Sequence, residues 1–207
     1  MLEVRDLHFG YGKVPILKGI NLRVGKDEIV AVVGANGAGK TTVLKTISGV
    51  MEPEKGTVEF LGERIDHVSP DKIVRMGISQ VPEGREVFQD LTVRENLQAI
   101  LETQRLSRAV RRQRADELLA KFSLEHKADQ QARTCSGGER RRLEIARALI
   151  TRPRLMLLDE PFAAVDPHTV EELQEIVREY PQIALHVCRV LSMRIRHLHG
   201  KLSAQQC

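Results

Sequence analysis

The 207-residue chain has no tryptophan, and aromatic residues make up only 3% of it. So few rings disfavour a binder of single-stranded nucleic acid, which stacks bases on aromatic side chains. Long apolar runs are absent too. The longest, Ile29–Val33, has 5 residues, whereas a membrane helix needs about 20. The first residues, MLEVRD, lack the basic-then-apolar layout of a signal peptide, so the expected compartment is the cytosol. Three cysteines (Cys135, Cys188, Cys207) without paired spacing argue against a disulfide framework and a zinc site. Acidic residues are absent from the end of the chain. Residues 180–207 hold four basic side chains (Arg189, Arg194, Arg196, Lys201) and no Asp or Glu. The other 28 basic residues balance all 28 acidic ones, so the net charge of +4 belongs to the tail alone. What remains is an ordinary globular mix, 42% hydrophobic and 29% charged, of a size for one domain or one domain with an insertion.

Periodicity gives the elements. Leu2–Phe9 and Ile20–Val24 alternate apolar with polar residues, as half-buried strands do. Glu28–Val33 is a β-branched run suited to a strand buried on both faces. A glycine-rich turn and a helix over Lys40–Gly49 follow. Thr57–Leu61 and Ile78–Val81 are expected strands, and Ser69-Pro70 opens a short helix with Ser69 as N-cap. Val93 to Ala120 is helical in pattern. Its basic stretch Arg105–Arg114 is taken as a solvated face or loop rather than a nucleic-acid contact. Ser136–Ile150 predicts a helix, Leu155–Leu158 a buried strand, and Val165–Glu179 a further helix stopped by Pro181. Arg140–Arg142 fan out round their helix and are expected to be solvated. The plan is an α/β fold with a mostly parallel sheet and a helical insertion.

Three motifs carry chemistry. Residues Gly34–Thr41 (GANGAGKT) match G-x-x-x-x-G-K-[ST] between a buried strand and a helix. The glycines let successive N–H groups turn inward on phosphate oxygens, and the helix adds its positive end. Lys40 reaches the β- and γ-phosphates, and the Thr41 hydroxyl suits Mg²⁺. Asp159 and Glu160 end a buried strand at the sheet edge where open α/β folds bind ligands. Asp159 suits Mg²⁺, and Glu160 can deprotonate an attacking water. Ser136-Gly137-Gly138-Glu139 reads as a capping box. Its two glycines are poor helix formers, and a cap alone has no use for them. They admit an anion to the helix end, which implies a nucleotide held by another subunit.

Together, in this order, these residues resemble the nucleotide-binding subunit of ATP-binding cassette (ABC) transporters over residues 1–178. The resemblance implies a P-loop NTPase of RecA-like type: a mostly parallel sheet with N-terminal antiparallel strands and an inserted helical subdomain. It implies a core over 1–82 and 152–180, a helical signature subdomain over 83–151, and an atypical tail over 181–207. Nucleotide would be held by Tyr11, stacking on adenine, by Gly34, Asn36, Gly37, Gly39, Lys40, Thr41 and Thr42, and by Ser136, Gly137, Gly138 and Asp166. Mg²⁺ would fall to Thr41, Gln80 and Asp159. Glu160 and Gln80 would be catalytic, with Gln80 linking the γ-phosphate to the helical subdomain. Cys135 stands where the family usually has Leu, a tolerated small apolar substitution.

The implied activity is ATP hydrolysis powering transport, by a homodimer or heterodimer of ATPase subunits docked on integral-membrane permeases. The chain would lie in the cytoplasm, peripheral on the inner face of the plasma membrane. Val81–Phe88 and Leu91–Leu97 resemble the second ATPase of branched-chain amino acid importers. Ser136–Arg147 and Asp159–Pro167 resemble the lipopolysaccharide-export ATPase. The importer is favoured, because residues 81–97 face the membrane subunit in this family. ABC ATPases acting on DNA or ribosomes usually carry coiled-coil inserts or two cassettes, and neither is present. The tail departs from the family pattern, since His186 falls inside an apolar stretch, and His197 and His199 sit in a basic, irregular one. Only 47 residues follow Glu160, which suggests a truncated or frameshifted end and leaves a nucleotide-binding module with impaired hydrolysis as an alternative.

Overall fold

A computed structural model describes residues 1–84, 87–161 and 171, and the backbone of 185–188 and 202–206. Two compact units emerge. One comprises Met1–Glu83, Arg154–Ala163 and Glu179–Cys207, the other Gly84–Pro153 and Ala164–Arg178.

The first unit holds two sheets. The alternating N-terminal residues form β1 (Leu2–Tyr11) and β2 (Val14–Val24), antiparallel to each other, and β1 also pairs with β4 (Lys55–Phe60). A two-residue strand, β5 (Glu63–Arg64), completes the order β2-β1-β4-β5. The second sheet is parallel: β6 (Ile78–Val81), β7 (Leu155–Asp159), β8 (Leu185–Cys188), β3 (Ile29–Val33) and β9 (Leu202–Gln206), in that spatial order. Strand β7 is buried along its whole length, as an apolar run within a parallel sheet suits, whereas β3 alternates buried Val30 and Val32 with half-buried Ile29, Ala31 and Val33. Helices α1 (Lys40–Ile47) and α2 (Pro70–Met76) bury Val43, Leu44, Ile47 and Ile73 in a core that also contains Leu2, Leu22, Val30, Phe60 and Leu157. Ser69 is the N-cap of α2, but its hydroxyl donates to Asp71 Oδ1 at 2.6 Å instead of accepting a helix N–H.

The tail contributes strands to this sheet. Val30, Ala31 and Val32 pair with Leu185, His186 and Val187 of β8, and β3 pairs on its other side with β9. His186 thus occupies a register position inside β8, opposite Ala31 and Leu158. Strand β9 has no counterpart in the sequence expectations.

The second unit is helical. The predicted 93–120 helix is two helices, α3 (Val93–Glu102) and α4 (Arg108–Lys121), separated where Ser107 starts a new cap by accepting the Val110 N–H. Helix α3 begins at a capping box between Thr92 and Glu95, and packs against both α4 and α5 (Gly137–Leu149). Arg94 ties α3 to Asp116 and Asp129. The basic face of α4 is largely solvated, as expected. Arg141 is not: it lies buried on α5, 2.7 Å from the equally buried Glu144. At 100° per residue, three successive arginines cannot all face solvent on a packed helix, and a buried guanidinium needs a carboxylate.

Candidate functional site

Strand β3 delivers the chain into the phosphate loop at Gly34. Gly37 and Gly39 adopt left-handed backbone, with φ of 79° and 91°. At Gly39 this is obligatory in a second way, because a Cβ would come within 2.9 Å of Leu17 Cδ2 and 3.1 Å of Ile16 Cγ2. Gly39 is also the N-cap of α1, so no side chain caps that helix, and its first turn holds no acid. The positive end of α1 therefore keeps its N–H donors for a guest. Lys40 is 6% exposed, and its Nζ donates to the Gly34 and Ala35 carbonyls at 2.9 Å each. The ammonium is thereby fixed at the start of the loop.

A cavity of about 450 Å³ opens over this loop. Asn36, Gly37, Gly39, Lys40, Thr41 and Thr42 form its floor, and Ile16 and Tyr11 one wall. Tyr11 closes β1 and is 54% exposed. It packs edge-on to Phe9 at 5.1 Å, and its hydroxyl lies 3.5 Å from Met51 Sδ. Two carboxylates, Glu83 and Glu160, also line the cavity. Glu160 follows β7 with φ of 43°, a strained value for a residue with a Cβ. Backbone strain at a cavity-lining acid is the kind found at functional positions. Asp159, one residue earlier, ends β7 and is 1% exposed.

Not every expected residue reaches this cavity. Gly34 contributes only its carbonyl, through Lys40. Gln80 lies in β6, paired with Leu157 and partly buried, and neither it nor Asp159 is among the lining residues. Glu83, three positions on, lines the cavity in its place. Sequence reasoning missed Glu83, although an acid just past a strand-ending proline at the carboxyl edge of a parallel sheet was a usable signal. Asp166 lies outside the described residues.

The serine-glycine element belongs to the second unit. Ser136 is the N-cap of α5, and its Oγ accepts the Glu139 N–H at 3.2 Å while Glu139 Oε2 accepts the Ser136 N–H at 2.7 Å. Ser136 and Gly137 are exposed and Gly138 is half-buried. Burial pushes the Glu139 carboxyl up, but the Ser136 N–H and hydroxyl, with His126, outweigh it and hold the group below its ordinary range. Cys135, in the position before, is buried, and that burial raises its thiol pKa. It packs as a small hydrophobe, in keeping with substitution for Leu.

Residues 17–163 match the ABC transporter family profile. The chain is 39% identical over 180 residues to the lipopolysaccharide export system ATP-binding protein LptB of Haemophilus influenzae, covering 86% of this chain and 75% of that one. It is 37% identical over 187 residues to LptB of Escherichia coli K12, covering 90% and 78%. Among solved structures, a nucleotide-free ATP-binding cassette from an ABC transporter superposes with a TM-score of 0.82 at 26% identity, covering 92% of this chain and 82% of that one. A dimeric cassette in a post-hydrolysis state, bound to ADP and Pi, gives 0.81 at 28% identity, covering 91% and 88%. The chain belongs to the ABC transporter family and is an ATP-binding cassette ATPase with the P-loop NTPase fold. No described helix is long and apolar enough to cross a membrane.

Proposed function

We propose that this chain is the ATPase of a lipopolysaccharide-type export system. The observation that carries this reading is the identity of its relatives, which include LptB of two bacteria at 37–39% over most of the chain. It replaces the branched-chain amino acid importer favoured on residues 81–97. Those residues are a short stretch, whereas the export likeness extends over 180 residues or more.

The phosphate chain of ATP sits on the loop N–H groups and the start of α1, with Lys40 opposing the charge of the β- and γ-phosphates. Tyr11 stacks on the base. Thr41, which lines the cavity, carries an oxygen donor of the hard type that Mg²⁺ prefers and would hold it, while Asp159 and Gln80, which do not line the cavity, would reach the ion through water. The ion, when bound, supplies charge neutralisation at the phosphates. Glu160 takes a proton from the water that attacks the γ-phosphorus, as the bond to ADP breaks. Two chains pair head-to-tail, so that Ser136–Gly138 of one, with Asp166, completes the nucleotide site of the other. Residues 83–151 then form the subdomain that passes closure, through Gln80, to a membrane permease. The working location is cytoplasmic, peripheral on the inner face of the plasma membrane.

Nucleotide binding and turnover, measured side by side, test the site. Lys40→Ala is expected to abolish ATP binding, and Glu160→Gln to bind ATP but not turn it over. Undiminished hydrolysis in Glu160→Gln would refute the assignment. Expression in a strain depleted of its own lipopolysaccharide-export ATPase tests the transport class, with restored growth as the expected result.

A further inference from the structure

We infer that Glu83 orients the attacking water, accepting a hydrogen bond from the O–H that Glu160 does not deprotonate. The inference rests on the proposed role of Glu160 as base. Glu83 and Glu160 leave neighbouring strands of the parallel sheet. The last paired residues of β6 and β7 are Val81 and Leu158, and each acid stands two positions further on. Different devices put them there. Pro82 has no N–H to continue the ladder of β6, and Gly84, with φ of 135°, turns the chain straight after Glu83. Glu160 reaches the cavity by its own left-handed turn. Both acids line the cavity over the phosphate loop. Glu83 is exposed, and among the described residues it makes no hydrogen bond or ion pair. A carboxylate facing a polyphosphate site is electrostatically unfavourable, and no contact within the described fold accounts for it here.

Water chemistry gives the second carboxylate a role. A water molecule carries two protons and two lone pairs. Held by Glu160 alone, it still turns about that one hydrogen bond, and its free lone pair is not aimed at phosphorus. A second acceptor fixes it, and rate depends on the aim of the nucleophile as well as on its nearness. Two acceptors of one water stand about 4.5 Å apart, from tetrahedral geometry and O–H···O lengths of about 2.8 Å. Neighbouring strands run about 4.8 Å apart, so acids on adjacent strand ends can share one water. The other lining side chains are spoken for. Lys40 only donates, Asn36, Thr41 and Thr42 belong to the phosphate-loop floor, and Ile16 and Tyr11 form the wall proposed for the base. In the step itself, the water oxygen bonds to the γ-phosphorus as the bond to ADP breaks, and the released proton goes to Glu160. Glu83 keeps its hydrogen bond to the remaining O–H and takes no proton.

The test measures turnover, and ATP affinity with a fluorescent analogue, in the full chain and three variants. Glu83→Ala is expected to lower kcat by about tenfold to a hundredfold, as for loss of a hydrogen bond to a charged group. Its ATP affinity is expected to stay within about twofold of the parent. Glu83→Gln keeps a carbonyl acceptor, weaker by about half, and is expected to recover much of the lost turnover. Glu160→Gln, which keeps an acceptor but no base, is expected to stay inactive. Trapping of ADP by tetrafluoroaluminate, which mimics the transferring phosphoryl group beside its attacking water, reads the same contact without turnover. Glu83→Ala should weaken that trapping, and Glu83→Gln should weaken it less. The inference is overturned if Glu83→Ala turns over and traps ADP like the parent, if Glu83→Gln is no better than Glu83→Ala, or if ATP affinity falls along with turnover. Undiminished hydrolysis in Glu160→Gln instead removes the base, and the water-orienting role of Glu83 falls with it.

Discussion

Asn96 should be among the most costly single positions in the helical unit. It is wholly buried (0% exposed) on α3. Its Oδ1 accepts the Phe88 N–H at 2.8 Å, and its Nδ2 donates to the carbonyls of Phe88 and Thr92 at 2.9 Å each, with a longer approach of 3.4 Å to Leu91. One side chain therefore fastens the segment before α3 to the helix. Asn96→Ala removes three good hydrogen bonds at a net of about 1 kcal/mol each, so about 3 kcal/mol. In a chain of this size that lowers Tm by about 6–12 °C. Asn96→Asp is more diagnostic. It keeps the acceptor for Phe88 N–H but turns a carboxylate towards three carbonyls, so the buried acid is favoured protonated and its folded pKa is raised. A raised folded pKa gives stability that is present below the unfolded value and lost as pH rises through the folded one. Asn96→Asp should therefore approach the parent near about pH 4 and fall below Asn96→Ala near about pH 8. Thermal unfolding by circular dichroism at both pH values, each against the parent, decides it. A Tm for Asn96→Ala within about 2 °C of the parent sinks the reasoning.

Gly39→Ala should cost more than Gly37→Ala in Tm and in ATP affinity. Both force an alanine into left-handed backbone at about 1–2 kcal/mol, but only at Gly39 does the new Cβ strike Leu17 and Ile16, whereas at Gly37 it meets open space. Equal losses would contradict this. Acid should unfold the first unit partly through Asp66. Its buried carboxyl is held below the ordinary range chiefly by the Arg64 guanidinium, against burial, with help from the Val58 N–H. A depressed folded pKa gives stability that is present above the unfolded value of about 4 and lost as pH falls through the folded one. The loss of stability below about pH 4 should accordingly be shallower in Asp66→Asn than in the parent, read by denaturant titration at stepped pH. Cys135, with its thiol pushed up by burial, should resist alkylation in the native state and react on unfolding, read by mass mapping of its peptide.

Features set by neighbours along the chain were legible in the sequence, and those set by the fold were not. The phosphate loop, the Ser136 capping box, and strands β3, β6 and β7 each depend on residues within a few positions of one another. The break between α3 and α4 was hidden because the apolar residues thin out after Leu101. The one available signal was Ser107, a capping residue followed by a new helix. Strand β5 has only two residues and no periodicity to detect. The pairing of Arg141 with Glu144 depends on which side of α5 faces the core. The solvated reading failed there because it treated three arginines as equivalent.

The acids at the cavity carry the same distinction into function. Asp159 and Glu160 are adjacent in sequence, and both were assigned from their place at a strand end. The fold separates them. Asp159 finishes β7 with its side chain buried, while the left-handed turn at Glu160 brings the next carboxylate to the cavity. In extended strand, successive side chains point to opposite faces, so two adjacent acids would not share a role without such a turn. The turn costs backbone energy in a residue with a Cβ. A glycine at 160 would relieve the strain but remove the base. Glu160→Gly should therefore raise Tm slightly, or leave it unchanged, while abolishing turnover. A fall in Tm comparable to that of Asn96→Ala would show that the turn is imposed by side-chain packing instead.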